Sequence, residues 1–135
     1  EAAAMLRKLS GKTHEVITGV CLFTQQKMHT FAGTSHVTFR ALSEEEIIHY
    51  VKLYTPMDKA GSYGVQEWIG YIGIEHISGS YYNVMGLPTA LLYNELFAFV
   101  RSYAGYLLSM ICQQQPHILS YYLTACVMPV RLLCV

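Results

Sequence analysis

Hydrophobic and polar positions along this chain change period several times, and each change marks an element. Met5, Leu6 and Leu9 fall on one helical face, so residues 1–9 read as the end of a helix that Gly11 is placed to stop. Residues 14–23 alternate and are rich in Val, Ile and Thr, the pattern of a strand. Gln25, Gln26 and Lys27 suit a hairpin turn, and residues 28–40 read as a longer strand antiparallel to the first. Ser43 and Glu46 stand at capping-box spacing, where each satisfies a backbone N–H of the other at a helix start. That helix is expected to run to about Tyr54, with Ile47, Val51 and Tyr54 on one face, and Pro56 opens a loop. Residues 68–77 are apolar, and periodicity leaves a strand and a short buried segment both open. Pro88 suits the first turn of a helix, which Leu91, Leu92, Glu95, Leu96 and Phe99 continue. Strands and helices are mixed, so the fold class is α/β, in the broader sense of mixed α+β.

Two stretches interrupt this pattern and gather the polar chemistry. One runs from Asp58 through Lys59, Gly61, Tyr63 and Gly64 to Gln66; the other runs from Gly79 through Ser80, Asn83 and Gly86 to Pro88. Glycine allows positive φ and close approach of backbone to a ligand, and successive N–H groups in such a turn form an anion-binding concavity. A neighbouring lysine adds a point charge suited to phosphate. The plain alternative is that each stretch is only a turn. Neither is a phosphate-binding G-x-x-x-x-G-K-[ST] loop, and neither is a G-x-G-x-x-G dinucleotide fingerprint.

Size and charge narrow the partners. The chain has 135 residues, enough for at most one domain, and its nine Lys and Arg balance nine Asp and Glu. A neutral chain lacks the basic face that a nucleic-acid polymer requires, but a small pocket can still hold a nucleotide. Cys21, Cys112, Cys126 and Cys134 form no C-x-x-C pair, which fits reduced thiols and a cytoplasmic location. The chain opens at Glu1 inside a helical pattern, with no basic-then-apolar leader, and so reads as a piece of a longer domain. From Phe97 to Val135 the only formal charges are Arg101 and Arg131. Phe97–Cys112 is short for a membrane span and holds Arg101, and the apolar run from Ile118 is broken by Pro129. Neither is read as a membrane span. This tail is either a functional extension or a stretch unrelated to the domain before it.

Taken in order, Met5-Leu6 with Leu9-Ser10-Gly11, His14 to Val20, Thr38-Phe39-Arg40, Glu46-Ile47 with Tyr50, and both glycine-rich stretches resemble the Maf family. Its members are nucleoside triphosphate pyrophosphatases once described as septum-formation inhibitors. The resemblance covers residues 1–96 and leaves 97–135 as an apolar tail. The Asp58–Gln66 stretch is its most specific part and resembles the subgroup acting on dTTP and UTP.

The resemblance implies a mixed sheet flanked by helices, of the inosine-triphosphatase-like kind, with its N-terminal half absent here. It implies hydrolysis of a pyrimidine triphosphate to the monophosphate and pyrophosphate, with a divalent metal, Mg²⁺ or Mn²⁺. Asp58, Lys59, Gly61, Tyr63 and Gln66 become candidate substrate-binding residues: Lys59 for phosphate, Gln66 for the edge of a base. Asp58 and, behind it, Glu67 or Glu75 are candidate metal ligands. Ser80 and Asn83 are expected to shape their own turn, and His14 to be structural. The family's serine-and-arginine motif, its acidic catalytic base and a Gly-Lys pair all lie upstream of the matching part. The catalytic base is therefore not assigned in this chain, and the chain alone is expected to be inactive. The partners expected are a nucleoside triphosphate and, as an option, a second copy of the chain. The rival reading is a non-catalytic nucleotide-binding or protein-interaction module with the apolar tail as its contact.

Overall fold

A computed structural model describes residues 1–57 and 59–113. Its elements run α1 (Ala2–Leu9), β1 (Thr13–Phe23), β2 (Met28–Phe39), α2 (Glu44–Tyr54), α3 (Trp68–Gly73), β3 (Ile74–Ser78), α4 (Tyr81–Met85) and α5 (Thr89–Gln113), with a 3-10 turn at Ala60–Ser62 between α2 and α3. Among the described residues the strands form one antiparallel sheet in the order β1-β2-β3. This is the mixed α/β architecture that the sequence pattern predicts.

The sheet is amphipathic because the side-chain period of a strand is two. Val16, Thr18, Val20 and Leu22 on β1 and Ser35, Val37 and Phe39 on β2 face inward and are buried, while the residues between them are half-buried or exposed. The register sets Val16 opposite Ser35 and Val20 opposite Phe31, so both buried rows share one face. Leu6 of α1, Ile47 and Tyr50 of α2, Tyr63 and Val65 of the loop before α3, and Ile69 of α3 close over Val16, Val37 and Phe39 to make the core.

Helix α2 is set by its N-terminus. Ser43 accepts from the Glu46 N–H at 3.2 Å and the Ser43 N–H donates to Glu46 Oε2 at 2.8 Å, which completes the predicted capping box. Glu46 also receives Arg40 in a two-pronged pair at 2.7 and 3.2 Å. Arg40, with Ser43 behind it, holds the Glu46 carboxyl down at about 2. A carboxyl depressed in the fold stabilises fully above its ordinary value of 4.5 and loses that contribution as pH falls toward 2. Both side chains are about three-tenths exposed, so solvent screening leaves about 1 kcal/mol. Glu46→Gln is therefore expected to flatten the fall in urea midpoint between pH 5 and 2 (values spanning roughly the depressed and ordinary carboxyl ranges). An unchanged slope would place the acid sensitivity elsewhere.

The buried face of α2 differs from the predicted stripe. Ile47 and Tyr50 are fully buried, Val51 is half-buried, and Tyr54 is exposed with its ring stacked on Tyr50 at 5.0 Å. The stripe turns because Tyr50 reaches under the loop after α2, while Tyr54 ends the helix beside the left-handed Thr55. The apolar stretch 68–77 divides into α3 and β3 at Gly73, whose carbonyl accepts from the Arg40 N–H at 2.9 Å.

Helix α5 packs on the tip of the β1–β2 hairpin. Phe99 is buried there, Lys27 sits over its ring at 5.1 Å, and His29 meets Glu95 at 2.7 Å. No helix among the described residues is long and apolar enough to cross a membrane. The apolar run from Ile118 lies outside the described residues, as do Cys126 and Cys134; Cys21 is a half-buried free thiol on β1.

Candidate functional site

The first glycine-rich stretch builds one wall of a cleft of about 220 Å³. His14 and Val16 of β1 form its floor, Lys59, Ala60 and Tyr63–Gln66 one side, and Val84 and Met85 of α4 the other. The loop holds its course through local bonds. Gly61 and Ser62 take consecutive left-handed conformations, φ 71° and 58°, which glycine adopts freely and serine at some strain. The chain then extends at Tyr63 and drives that ring inward, edge-on to Phe39 at 5.0 Å and to His14 at 5.6 Å.

The candidate residues separate by position. Lys59, Tyr63 and Gln66 line the cleft, and Gln66 is exposed at its rim. Gly61 is buried and shapes the turn. Asp58 lies outside the described residues. Lys59 Nζ stands 3.2 Å from Glu67 Oε1. Glu67 Oε2 also accepts a hydrogen bond from the Tyr50 hydroxyl, whose oxygen accepts the Gly64 N–H at 3.0 Å. Burial, and then the bond to Glu67, push the Tyr50 phenol above its ordinary value, so it remains a donor at neutral pH.

The second stretch supports the cleft from behind. Ser80 caps α4 by accepting from the Asn83 N–H at 3.3 Å. Asn83 is 1% exposed; its amide donates to Val16 O at 3.1 Å and to Ser35 Oγ at 3.0 Å. Ser80 thus shapes its own turn, as the sequence predicts, whereas the Asn83 side chain leaves that turn and ties it to β1 and β2, holding Val84 and Met85 against β1. Tyr81 and Tyr82 are exposed and do not line the cleft.

His14 lines the cleft and ties β1 to the loop, in keeping with the structural role expected of it. Its Nε2 shares a 2.8 Å hydrogen bond with the Tyr63 hydroxyl, its ring stacks on Phe39, and its Nδ1 is buried without a hydrogen-bond partner. Burial lowers its pKa, so the imidazole lining the cleft is neutral at pH 7. Glu67 is committed to Tyr50 and Lys59, and Glu75 is exposed on β3. Among the described residues no group of three or more His, Cys, Asp or Glu is arranged to hold a metal ion.

The pattern of the family described as Maf-like protein matches residues 1–99. The chain belongs to the Maf family. A dTTP/UTP pyrophosphatase of Phocaeicola vulgatus is 62% identical to this Maf chain over 96 residues, covering 71% of the chain and 50% of that protein. A dTTP/UTP pyrophosphatase of Porphyromonas gingivalis is 60% identical over 102 residues, covering 76% and 51%. One of Flavobacterium psychrophilum is 57% identical over 93 residues, covering 69% and 48%. The Maf chain spans about half the length of the curated relatives it matches.

Proposed function

We propose that residues 1–96 supply one wall of the nucleotide site of a pyrophosphatase acting on dTTP and UTP, with 97–135 as a tail beyond it. The observation that carries this reading is the convergence of Lys59 and Gln66 on one cleft. A cation suited to phosphate and an amide suited to a base edge stand on one short loop. The activity for which the relatives are named supports the substrate class. A cleft of about 220 Å³ falls below the roughly 300–1,000 Å³ of complete small-molecule sites, which fits a site shared with a further part of the domain.

In the proposed reaction water attacks the α-phosphorus and the bond from that phosphorus to the α–β bridging oxygen breaks. The products are the nucleoside monophosphate and pyrophosphate. This chain's part is to bind and orient: Lys59 holds phosphate, Gln66 reads the base, and Tyr63, fixed by His14 and Phe39, walls the cleft. The base that activates water is not assigned to any residue of this chain. Mg²⁺ or Mn²⁺ belongs to the proposal with Asp58 as this chain's candidate ligand, and no step above is routed through it. The proposed location is the cytoplasm.

The test is pyrophosphate release from a panel of nucleoside triphosphates, with Mg²⁺ or Mn²⁺. It is run on the chain alone and on the chain joined to the other half of a Maf domain. Release from dTTP and UTP by the joined protein, with none from the chain alone, is the expected result. A joined protein that folds and releases nothing would overturn the enzymatic reading, and triphosphate binding without turnover would favour a binding module.

A further inference from the structure

We propose that Glu67 is a positioning residue of this site, holding the Lys59 ammonium at the cleft so that it meets a triphosphate already in place. The inference rests on the nucleotide reading above and adds a residue to it. Three observations carry it. First, Glu67 is anchored before any ligand arrives: its side chain is 19% exposed, and the fully buried Tyr50 donates to one of its oxygens. Second, its other oxygen faces Lys59 Nζ at 3.2 Å, and Lys59 lines the cleft. Third, the loop is wrapped tightly around this carboxylate. A Cβ added at Gly64 would lie 2.6 Å from Glu67 Cδ, and Gly64 donates its N–H to the same Tyr50 hydroxyl.

Lysine carries its charge on a flexible four-carbon stem, and ordering that stem on binding opposes association. A fixed carboxylate orders it beforehand, so less freedom is lost when phosphate arrives. The carboxylate also attracts the ammonium away from phosphate. Against a ligand carrying several negative charges that competition is the smaller effect, because one partly exposed ion pair contributes little net energy. The chain from α2 through Tyr50 and Glu67 to Lys59 thus makes a helix outside the cleft part of its cation's support.

The test is a double-substitution cycle on the 135-residue chain joined to the other half of a Maf domain, read by equilibrium binding of tripolyphosphate and of dTTP. Glu67→Gln keeps the volume and can still accept from Tyr50, but removes the charge. It is expected to weaken both probes about fivefold, the size of a partly exposed ion pair's coupling. Glu67→Asp, which keeps the charge on a shorter stem, is expected to lose less. In a Lys59→Ala background Glu67→Gln is expected to do nothing further, because the group it positions is gone. An equal loss in both backgrounds would mean that Glu67 only shapes the loop, and no loss in either would mean that it positions nothing. Both results would sink this inference and leave the nucleotide reading standing. A wild type that binds neither probe, or a Lys59→Ala chain that binds tripolyphosphate as the wild type does, would instead remove the reading on which the inference rests.

Discussion

Replacing Gly70 by alanine is expected to destabilise the fold by about 3 kcal/mol and to lower its melting temperature by about 10 °C or more. A Cβ at this position would lie 2.0 Å from the carbonyl oxygen of Val65 and 2.6 Å from its carbonyl carbon. Those atoms are backbone and cannot swing aside as a side chain would, so α3 must move off the loop. On either side of the contact Val65 is 5% exposed and Ile69 is fully buried. Separation would therefore open the core beneath the cleft and displace Gln66 and Glu67 together. Gly19→Ala is the control. Gly19 lies on an exposed strand position, and an added Cβ there meets nothing within 4 Å. It is expected to change stability by less than about 0.5 kcal/mol. Thermal unfolding of the two variants side by side decides the matter. If Gly70→Ala melts within about 2 °C of the wild type, the helix can shift at little energetic expense and the tight approach is incidental.

Gly70 also shows where the sequence stopped being legible. The two long strands, their turn and the capped start of α2 were readable because each is written locally: alternation over ten residues, or a serine three residues before a glutamate. The stretch 68–77 was not. Its apolar residues have neither clean period, and what divides it is a close packing of Gly70 on Val65 and of Gly73 on Phe39 and Leu42 that only the folded chain brings about. The site follows the same rule. Lys59, Tyr63 and Gln66 were visible because they share one loop with glycines and resemble a known motif. Glu67 looked like a metal candidate, since nothing local announces that Tyr50, seventeen residues earlier, already binds it. His14 is structural as expected, but its partner Tyr63 was not legible because forty-nine residues separate the two. Ser80 was legible because its side chain bonds inside its own turn, whereas Asn83, expected to do the same, sends its amide to Val16 and Ser35 on distant strands.

Lys59→Ala is expected to weaken binding of dTTP and UTP about thirtyfold while leaving the fold's stability almost unchanged. The two halves of this prediction come from the same geometry. In the ligand-free chain Lys59 and Glu67 form a partly exposed ion pair, whose net contribution is at most about 1 kcal/mol. Glu67 keeps its Tyr50 donor when the lysine is gone, so no buried carboxylate is left unpartnered. With a triphosphate in the cleft the same ammonium faces several phosphate oxygens. A charge-assisted hydrogen bond there contributes roughly 1.5–3 kcal/mol, and about 1.4 kcal/mol is a factor of ten in affinity. Salt supplies an independent check. Wild-type affinity should fall as ionic strength rises, and the Lys59→Ala chain should respond less steeply, because its missing charge is the one being screened. Gln66→Ala should behave differently: tripolyphosphate, which has no base, should bind as before, while the preference among triphosphates narrows. Titration calorimetry on both variants distinguishes the roles. Loss of tripolyphosphate affinity on removing Gln66, with none on removing Lys59, would reverse the assignment and place the phosphates at the exposed rim rather than beside β1.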